Sequence, residues 1–299
     1  MSTFSVFKRA CSLGQSKLVG LSPGSSRKLH LLSSIPRLAA SSLEDSSHQA
    51  HTDAIATALR GPGVAIVDLK FPDASSEYLR RLVLNLGNYH NHGPPITHSA
   101  TRGWFWDVRP KKTAGPQARS ESSLNFPWHT DCSYESDPPQ FFALHVLHAD
   151  RRGGGTLSAL NVSRALKKLK PATFETLSRP EFRIKVPPEF AKGVDNITGC
   201  LVGKGEEGSG VRIRYRADII EPLSSGASDA LAEVHELLAS SRDTDARDVQ
   251  VDLSPQVLPD NAIVLMDNGR WLHARNEVRD PERHLRRVRW GRRKFEAGD

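Results

Sequence analysis

Two histidines and one aspartate in this chain have the types and spacing of a metal-ligand set. His129 and Asp131 are two positions apart, and His273 follows much later in the chain. Because side chains two positions apart on an extended segment point the same way, His129 and Asp131 can chelate one ion. Two imidazoles and one carboxylate suit iron(II) and cap one face of it, which leaves the other face open for a co-substrate and dioxygen, as in non-haem iron oxygenases. A His-x-Asp tripeptide is common by chance, so the surrounding sequence decides whether this interpretation holds.

An arginine-rich segment, residues 283–293, follows His273. If it forms a strand, Arg283 and Arg287 lie on one face, because strand side chains alternate between faces. Guanidinium is a planar, permanently charged fork that binds carboxylates bidentately, so this pattern favours recognition of a dicarboxylic acid. The alternative is a solvated or RNA-binding stripe. An RNA-binding surface should also carry ordered aromatic platforms, which Trp290 alone does not supply.

Other local patterns exclude competing chemistry. The glycine run at 153–155 is not followed by Gly-Lys-Ser/Thr, so it indicates a tight turn that positions Thr156 and not a phosphate-binding loop. The three cysteines form no CxxC pair, so neither a disulfide framework nor a structural zinc site is expected. Cys132, as the strand neighbour of Asp131, should point to the opposite face and contribute packing.

The pattern of apolar residues predicts many short strands and a few helices. Strands are predicted at 64–69, 141–148, 156–161, 182–186, 211–215, 248–253, 262–266 and 284–290, and helices at 52–59, 77–86, 163–178 with a division at Pro171, and 228–240. One domain of about 250 residues with this content is typical of a double-sheet jelly roll decorated by helices. No apolar run approaches the roughly 20 residues needed for a membrane span.

Taken together, these motifs resemble the signature of the taurine dioxygenase (TauD/TfdA-like) family. The resemblance rests on Asn125-Phe-Pro-Trp-His129-Thr-Asp131, Pro138-Pro139, Gly153-Gly-Gly-Thr156-Leu157, Asp267-Asn268…His273 and Arg283-His-Leu-Arg-Arg287, in that order. It implies a mainly β fold with flanking helices, the double-stranded β-helix or jelly roll of the Fe(II)/2-oxoglutarate dioxygenases. One departure is Gly269, since the family often has arginine directly after Asp-Asn, and here Arg270 is displaced by one position.

Position by position, the resemblance implies an iron site with a 2-oxoglutarate site beside it. The iron(II) ligands would be His129, Asp131 and His273, with dioxygen as the second co-substrate. Thr156 would hydrogen-bond one carboxylate of 2-oxoglutarate, and Arg287 would form a salt bridge with the distal carboxylate.

Other positions carry weaker implications. Arg283 matches an earlier family arginine at the same co-substrate, and Asn125 matches a family position that faces the prime substrate. Arg102 and Tyr134 are further candidates for the prime-substrate pocket, in or near the Gly-, Pro- and His-rich stretch 88–125.

The resemblance implies an oxidoreductase that acts on a small carboxylate-bearing or amino-acid-like metabolite, with release of succinate and CO2. Hydroxylation is the default outcome, and desaturation or cyclisation is possible. Two alternatives stay open: a non-catalytic metal-binding jelly-roll protein, and an oxygenase that acts on a protein or a nucleic acid. The sequence does not indicate an oligomeric state.

The net charge of +7 is concentrated in a basic, serine-rich leader. Residues 1–42 contain six basic residues and no acidic one, and without those six the chain has 35 basic against 34 acidic side chains. A nearly neutral body does not support general nucleic-acid binding. We therefore expect a leader and linker over residues 1–45, with mitochondrial targeting and otherwise a cytoplasmic location, and a catalytic domain over residues 46–299.

Overall fold

Short strands dominate the structure, a computed structural model that describes residues 31–98, 103–111, 118–191, 193–205, 210–240 and 248–297. The strands are β1 (Arg37–Ala40), β2 (Val64–Leu69), β3 (Trp106–Val108), β4 (Phe126–His129), β5 (Pro139–His148), β6 (Leu157–Asn161), β7 (Phe182–Lys185), β8 (Asn196–Gly199), β9 (Val202–Lys204), β10 (Val211–Ile213), β11 (Ile220–Pro222), β12 (Gln250–Leu253), β13 (Ala262–Asp267), β14 (Trp271–Arg275) and β15 (His284–Arg292). The α-helices are α1 (Gln49–Arg60), α2 (Glu77–His90), α3 (Val162–Leu166), α4 (Pro171–Leu177) and α5 (Ser225–Ser240). Among the described residues, no helix combines the length and the apolar character needed to cross a bilayer.

Two sheets face each other at the centre of the fold. Six strands form one sheet in the order β1-β2-β13-β5-β15-β3, and four form the other in the order β12-β6-β14-β4. All neighbouring strands in the two sheets are antiparallel except β1 and β2, which are parallel. This arrangement confirms the mainly β jelly-roll fold that the motifs imply.

The six-stranded sheet is buried on both faces, which explains its nearly continuous apolar strands. On β13, Val264 lies in the core between the two sheets, whereas Ile263 and Leu265 lie in a second core under the helices. On β15, Leu285 points into the core between the sheets and Val288 points out of it. The odd-numbered residues of β15 therefore face the four-stranded sheet.

Helices cover both outer faces of this pair of sheets. Residues of α1 and α2, such as Leu59 and Leu82, pack on the outer face of the six-stranded sheet. The helices α3, α4 and α5, together with the β11-β7-β8 sheet, pack on the outer face of the four-stranded sheet, where Leu160 and Leu272 lie. Pro171 divides the predicted helix as expected, because it occupies the first turn of α4.

The predicted boundary of the leader at residue 45 is wrong. Leu31 and Ile35 are buried between the sheets, and β1 pairs with β2 along its whole length. The catalytic domain therefore includes residues from 31 onwards, because this short segment contributes apolar side chains and a paired edge strand. Residues 1–30, on which the targeting prediction depends, and Arg102 lie outside the described residues.

Candidate active site

His129 and His273 are directly paired on neighbouring strands. His129 ends β4, His273 lies in the middle of β14, and the two are cross-strand partners with ring centroids 4.2 Å apart. Phe126 stacks on the ring of His129 at 3.6 Å, and Phe142 of the opposite sheet lies 4.5 Å from the ring of His273. Both rings are thus held by strand pairing and aromatic packing, on the face of the four-stranded sheet that meets the six-stranded sheet.

Asp131 joins the two histidines although it lies beyond the end of the strand. Its backbone is held at both ends by the buried amide of Asn268, which donates to the carbonyl of Asp131 at 2.9 Å and accepts from its N–H at 2.8 Å. One possible ligand atom from each of His129, Asp131 and His273 lies within 4.8 Å of the others, and all three residues are buried. Sequence reasoning gave Asn268 no role, although the Asp-Asn pair that contains it formed part of the motif.

The orientation of these side chains fits a bound metal ion. The Nδ1 atom of His129 lies 2.8 Å from the carbonyl oxygen of Pro127, so Nδ1–H donates there and Nε2 is left to bind a metal. The Oδ2 atom of Asp131 is buried and has no hydrogen-bond partner among the described residues. An orphaned buried carboxylate oxygen beside two imidazoles is what a divalent cation would satisfy.

The charges in the site keep these ligands in their metal-binding forms. Burial by itself would raise the pKa of Asp131, but the charge of Arg287 and the contact with His273 outweigh burial and hold it well below its usual range. Burial lowers the pKa of His129 well below its usual value, and His273 adds to that shift. The site therefore presents a carboxylate and a neutral imidazole, as metal binding requires.

Arginines of β15 line the site from the opposite sheet. Arg283, which immediately precedes β15, and Arg287 and Arg289 within it share the inward face with Leu285. The Nη1 atom of Arg287 donates to Oδ1 of Asp131 at 2.9 Å. Arg283 and Arg289 are buried and Arg287 is half-buried, so these three residues do not form a solvated arginine stripe.

The first of two cavities at the metal-ligand group, here named the strand-lined cavity, lies between the two sheets. Its walls include the two histidines of the metal-ligand group, His129 and His273, and the side chains of Arg275, Arg283 and Arg287. Apolar side chains of β5 and β6 complete it. It joins the metal-ligand group to a set of cations in an otherwise apolar environment.

Two of these cations are buried without a carboxylate partner among the described residues. Burial lowers the pKa of Arg283 to about 9, to which the neighbouring Arg275 contributes, and burial lowers the pKa of Arg275 to about 10. Arg275 donates to the backbone carbonyls of Ser122 and Leu124, whereas Nη1 of Arg283 has no hydrogen-bond partner in the part of the chain that the structure describes. An anion in this cavity would compensate both charges. Arg275 was not predicted, although its spacing of two from His273 could have placed it on the same face.

The glycine run allows the side chain of Arg283 to pack closely against the backbone. Gly155 has φ +67°, and a Cβ atom there would lie 2.7 Å from Nε of Arg283. Thr156 lies immediately before β6, where its N–H donates to Oδ1 of Asn276 at 2.7 Å. It lines neither of the two cavities at the metal-ligand group. The run therefore packs closely against an arginine of the site, in addition to turning the chain towards Thr156.

The comparisons with known proteins agree with this geometry. A family model described as taurine catabolism dioxygenase TauD, TfdA family, matches residues 33–289. The chain belongs to the TauD/TfdA family. Its members are Fe(II)- and 2-oxoglutarate-dependent dioxygenases. Among curated proteins, no sequence matches the chain significantly.

Solved structures of several Fe/2-oxoglutarate oxygenases share the fold. An asparagine oxygenase in complex with Fe(II), 2S,3S-3-hydroxyasparagine and succinate aligns with a TM-score of 0.62 and 19% identity, over 85% of this chain and 93% of that one. A taurine dioxygenase from Burkholderia xenovorans aligns with a TM-score of 0.60 and 15% identity, over 82% and 83% of the chains. The non-heme iron oxygenase OrfP with Fe and alpha-ketoglutaric acid aligns with a TM-score of 0.59 and 14% identity, over 90% of each chain.

The departure from the TauD/TfdA pattern at Gly269 has a structural reason. A Cβ atom at Gly269 would lie 2.7 Å from Nε of Arg212, whose charge opposes the burial-driven rise in the pKa of Asp267. Arg270 points away and donates to the carbonyls of Leu59 and Arg60 at the end of α1. Arg212 therefore supplies a cation beside Asp267, and Arg270 caps a helix.

The second cavity at the metal-ligand group, here named the loop-lined cavity, is lined by Asp131 itself and shares His129 and Arg287 with the first. Its walls include Arg119, Cys132, Tyr134, Phe190, Arg216, Arg287 and Arg289. A further cavity of about 320 Å³, here named the outer cavity, shares Tyr134, Phe190 and Arg289 with it. Of the predicted substrate residues, Tyr134 thus lies at the site. Asn125 is exposed and lines neither cavity.

Cys132 does not point away from the site, contrary to the expectation for a strand neighbour of Asp131. The strand has already ended at His129, and Cys132 has φ 54°, which turns its side chain into the loop-lined cavity. Its Sγ atom contacts Nη1 of Arg289 and lies 3.7 Å from Oη of Tyr134. Burial raises the pKa of the Cys132 thiol.

Proposed function

We propose that this protein is an Fe(II)- and 2-oxoglutarate-dependent dioxygenase that oxidises a small carboxylate-bearing or amino-acid-like metabolite, by hydroxylation as the default outcome. The observation that carries the proposal is the buried group of His129, Asp131 and His273, beside a cavity that contains Arg275 and Arg283, neither of which has a carboxylate partner among the described residues. When bound, iron(II) with 2-oxoglutarate and dioxygen supplies the oxidising power, and the co-substrate leaves as succinate and CO2.

The chain's own residues hold and orient the reacting groups. His129, Asp131 and His273 would bind iron(II) on one face, with Asn268 fixing the backbone of Asp131. Arg287 holds one oxygen of Asp131 and leaves the other free for the metal. Hydrogen bonds to a metal ligand, such as those of Asn268 and Arg287 to Asp131, orient that ligand and typically contribute about 10- to 100-fold to metal affinity.

The geometry favours Arg283 over Arg287 as the partner of the distal carboxylate of 2-oxoglutarate. The four-residue separation of the two arginines places Arg283 about 13 Å further along the strand from the metal-ligand group. Arg287 already contacts Asp131, whereas Arg283 lies unpaired in the strand-lined cavity with Arg275 nearby. The assignments of Thr156 and Arg287 to 2-oxoglutarate stay predictions.

The substrate class is supported by chemistry that several structural relatives share. The asparagine oxygenase is described with 2S,3S-3-hydroxyasparagine, and OrfP with (3S)-hydroxy-L-Arg, both of which are small hydroxylated amino acids. In this chain, the outer cavity of about 320 Å³ is large enough for a molecule of that size. We infer a small-molecule substrate and hydroxylation on these grounds.

Anaerobic reconstitution tests the proposal directly. Iron(II) and 2-oxoglutarate should together give the weak visible absorption band of the metal chelate, and His129→Ala should abolish it. His48→Ala, at an exposed position before α1, is the matched control and should leave the band unchanged. Absence of the band in the wild-type protein, at iron and 2-oxoglutarate concentrations in the millimolar range, would overturn the proposal.

A further inference from the structure

Arg289 is a buried cation that neither the metal-ligand group nor the co-substrate assignment uses. It shares the inward face of β15 with Arg287, and it lies on the side of Arg287 away from Arg283. Its side chain is 7% exposed. The Nη1 atom contacts Sγ of Cys132, and Nη2 lies 2.9 Å from Nδ1 of His98.

Other arginines of this strand differ from Arg289 in having a carboxylate partner. Arg286 pairs with Asp107 at 2.9 Å, and Arg292 pairs with Glu135. Among the described residues, no carboxylate forms a salt bridge with Arg289, and its Nε atom has no hydrogen-bond partner. Burial alone would lower the pKa of Arg289, but Cys132 and the nearby carboxylates of Asp131 and Glu135 raise it. A buried guanidinium that touches only a thiol and an imidazole still lacks the direct carboxylate contact that would compensate its burial, and an anionic ligand would supply that contact.

The position of Arg289 shows where such a ligand would lie. Arg289 lines both the loop-lined cavity and the outer cavity, and so do Tyr134, Glu189 and Phe190. Its contact, Cys132, is next in sequence to the metal ligand Asp131. A group bound to Arg289 would therefore lie close to the metal-ligand group, in the loop-lined cavity and not among the arginines of the strand-lined cavity.

We propose that Arg289 binds the anionic group, a carboxylate in an amino-acid-like molecule, of the prime substrate. This inference rests on the proposed function and specifies its substrate side. It makes Arg289 a specificity-determining residue: the enzyme should accept free carboxylates and reject the corresponding amides. It also requires a small substrate, in which few bonds separate the carboxylate from the oxidised carbon.

The test uses the anaerobic complex of the whole protein with iron(II) and 2-oxoglutarate. The probes are the standard L-amino acids, each paired with its C-terminal carboxamide, and binding is measured as a shift of the chelate absorption band. At least one acid should shift the band of the wild-type protein, and its carboxamide should bind about 10- to 100-fold more weakly, as expected for loss of a charge-assisted hydrogen bond.

Three variants separate recognition from folding. Arg289→Gln should weaken binding of the acid about 10- to 100-fold and remove the preference over the carboxamide. Arg289→Lys should restore part of that preference, because it keeps the charge and loses the planar fork. Arg286→Gln, which removes a charge from the opposite face of the same strand, is the matched control and should keep the preference.

Each outcome decides the matter. The band of 2-oxoglutarate itself should persist in Arg289→Gln, with a melting temperature no lower than that of the wild-type protein, since the variant removes an unpaired buried charge. The inference is overturned if no acid shifts a band that forms normally, if amides bind as well as acids, or if Arg289→Gln binds both as the wild-type protein does. Failure of the band to form at all would instead overturn the proposed function.

Discussion

The strand-lined cavity and the loop-lined cavity both adjoin the metal-ligand group and share His129 and Arg287, yet their walls are built differently. Strands β5, β6, β14 and β15 supply most of the first cavity, and its arginines are held by strand register and by Gly155. The second is lined mainly by irregular segments, such as 130–134 and 189–190, with Arg287 and Arg289 as its contribution from β15.

This difference matches the two tasks of the site. A co-substrate common to every turnover needs a fixed set of charges, which paired strands provide accurately. A prime substrate that differs between relatives is best recognised by loops, because they can change without disturbing the sheets. Among the arginines that line the loop-lined cavity, Arg119 and Arg216 pair with Asp218, and Arg287 contacts Asp131. Arg289 has no such carboxylate contact among the described residues, so it should contribute most of the affinity for an anion there.

The largest effect on the strand-lined cavity should come from Arg283→Gln. With iron saturating, the dissociation constant of 2-oxoglutarate should rise about 10- to 100-fold, because the variant removes a charge-assisted contact worth about 1.5–3 kcal/mol. The measurement is a titration of the chelate absorption band with 2-oxoglutarate. Iron binding should be retained, since Arg283 does not contact His129, Asp131 or His273.

Arg287→Gln should affect iron binding, in contrast to Arg283→Gln. This variant removes the partner of Asp131 and should weaken iron binding more than it weakens 2-oxoglutarate binding to the iron-loaded protein. If Arg287→Gln instead raised the 2-oxoglutarate dissociation constant more than Arg283→Gln did, the distal carboxylate would belong to Arg287. Arg286→Gln should match the wild-type protein in this titration, because its side chain points to Asp107.

A smaller effect is expected from Gly155→Ala, which tests whether the strand-lined cavity depends on close packing of the backbone against Arg283. The new Cβ atom would lie 2.7 Å from Nε of Arg283, and the residue has a positive φ. The free energy of unfolding should fall by about 2–3 kcal/mol, and 2-oxoglutarate should bind several-fold more weakly. Chemical denaturation and the same titration measure the two effects.

Gly153→Ala is the matched control for Gly155→Ala. Gly153 also has a positive φ, at +80°, but a Cβ atom there would have no neighbour within 4 Å. Gly153→Ala should therefore lower the free energy of unfolding by about 1 kcal/mol, from backbone strain alone, and should leave 2-oxoglutarate binding unchanged. Equal losses in the two variants would mean that contact with Arg283 contributes nothing.

The difference between strand-borne and loop-borne residues also explains what could be predicted from the sequence. His129, His273 and Arg287 belong to strands, and strand periodicity with the family motifs predicted that they would lie close together, as they do around the strand-lined cavity. Their roles stay predictions. The predicted strand at 64–69 and the predicted helix at 52–59 also lie where the structure has β2 and α1. Period two is a local rule, so it succeeds where pairing is regular.

The failures occur where contacts distant in sequence decide the conformation. Cys132 adopts a left-handed backbone after the strand ends, and Asn268 holds Asp131 across 137 positions of the chain. Neither has a local signal that the sequence could have shown. The short strand β1 was missed for a similar reason, since its pairing with β2 identifies it and its composition resembles the basic leader.

The smallest effect is expected on the loop side, from Tyr134→Phe. The ring of Tyr134 stacks on Phe190 at 5.4 Å, whereas its hydroxyl has only the distant Sγ of Cys132, at 3.7 Å, as a partner among the described residues. Removal of the hydroxyl should therefore change binding of the amino acid found by the band-shift screen by less than about 3-fold, since a weak long contact contributes little. Tyr134→Ala, which also removes the aromatic wall, should weaken binding about 10-fold. If Tyr134→Phe proved as harmful as Tyr134→Ala, the hydroxyl would bind the substrate directly, and Arg289 would share recognition on the loop side with a second polar group.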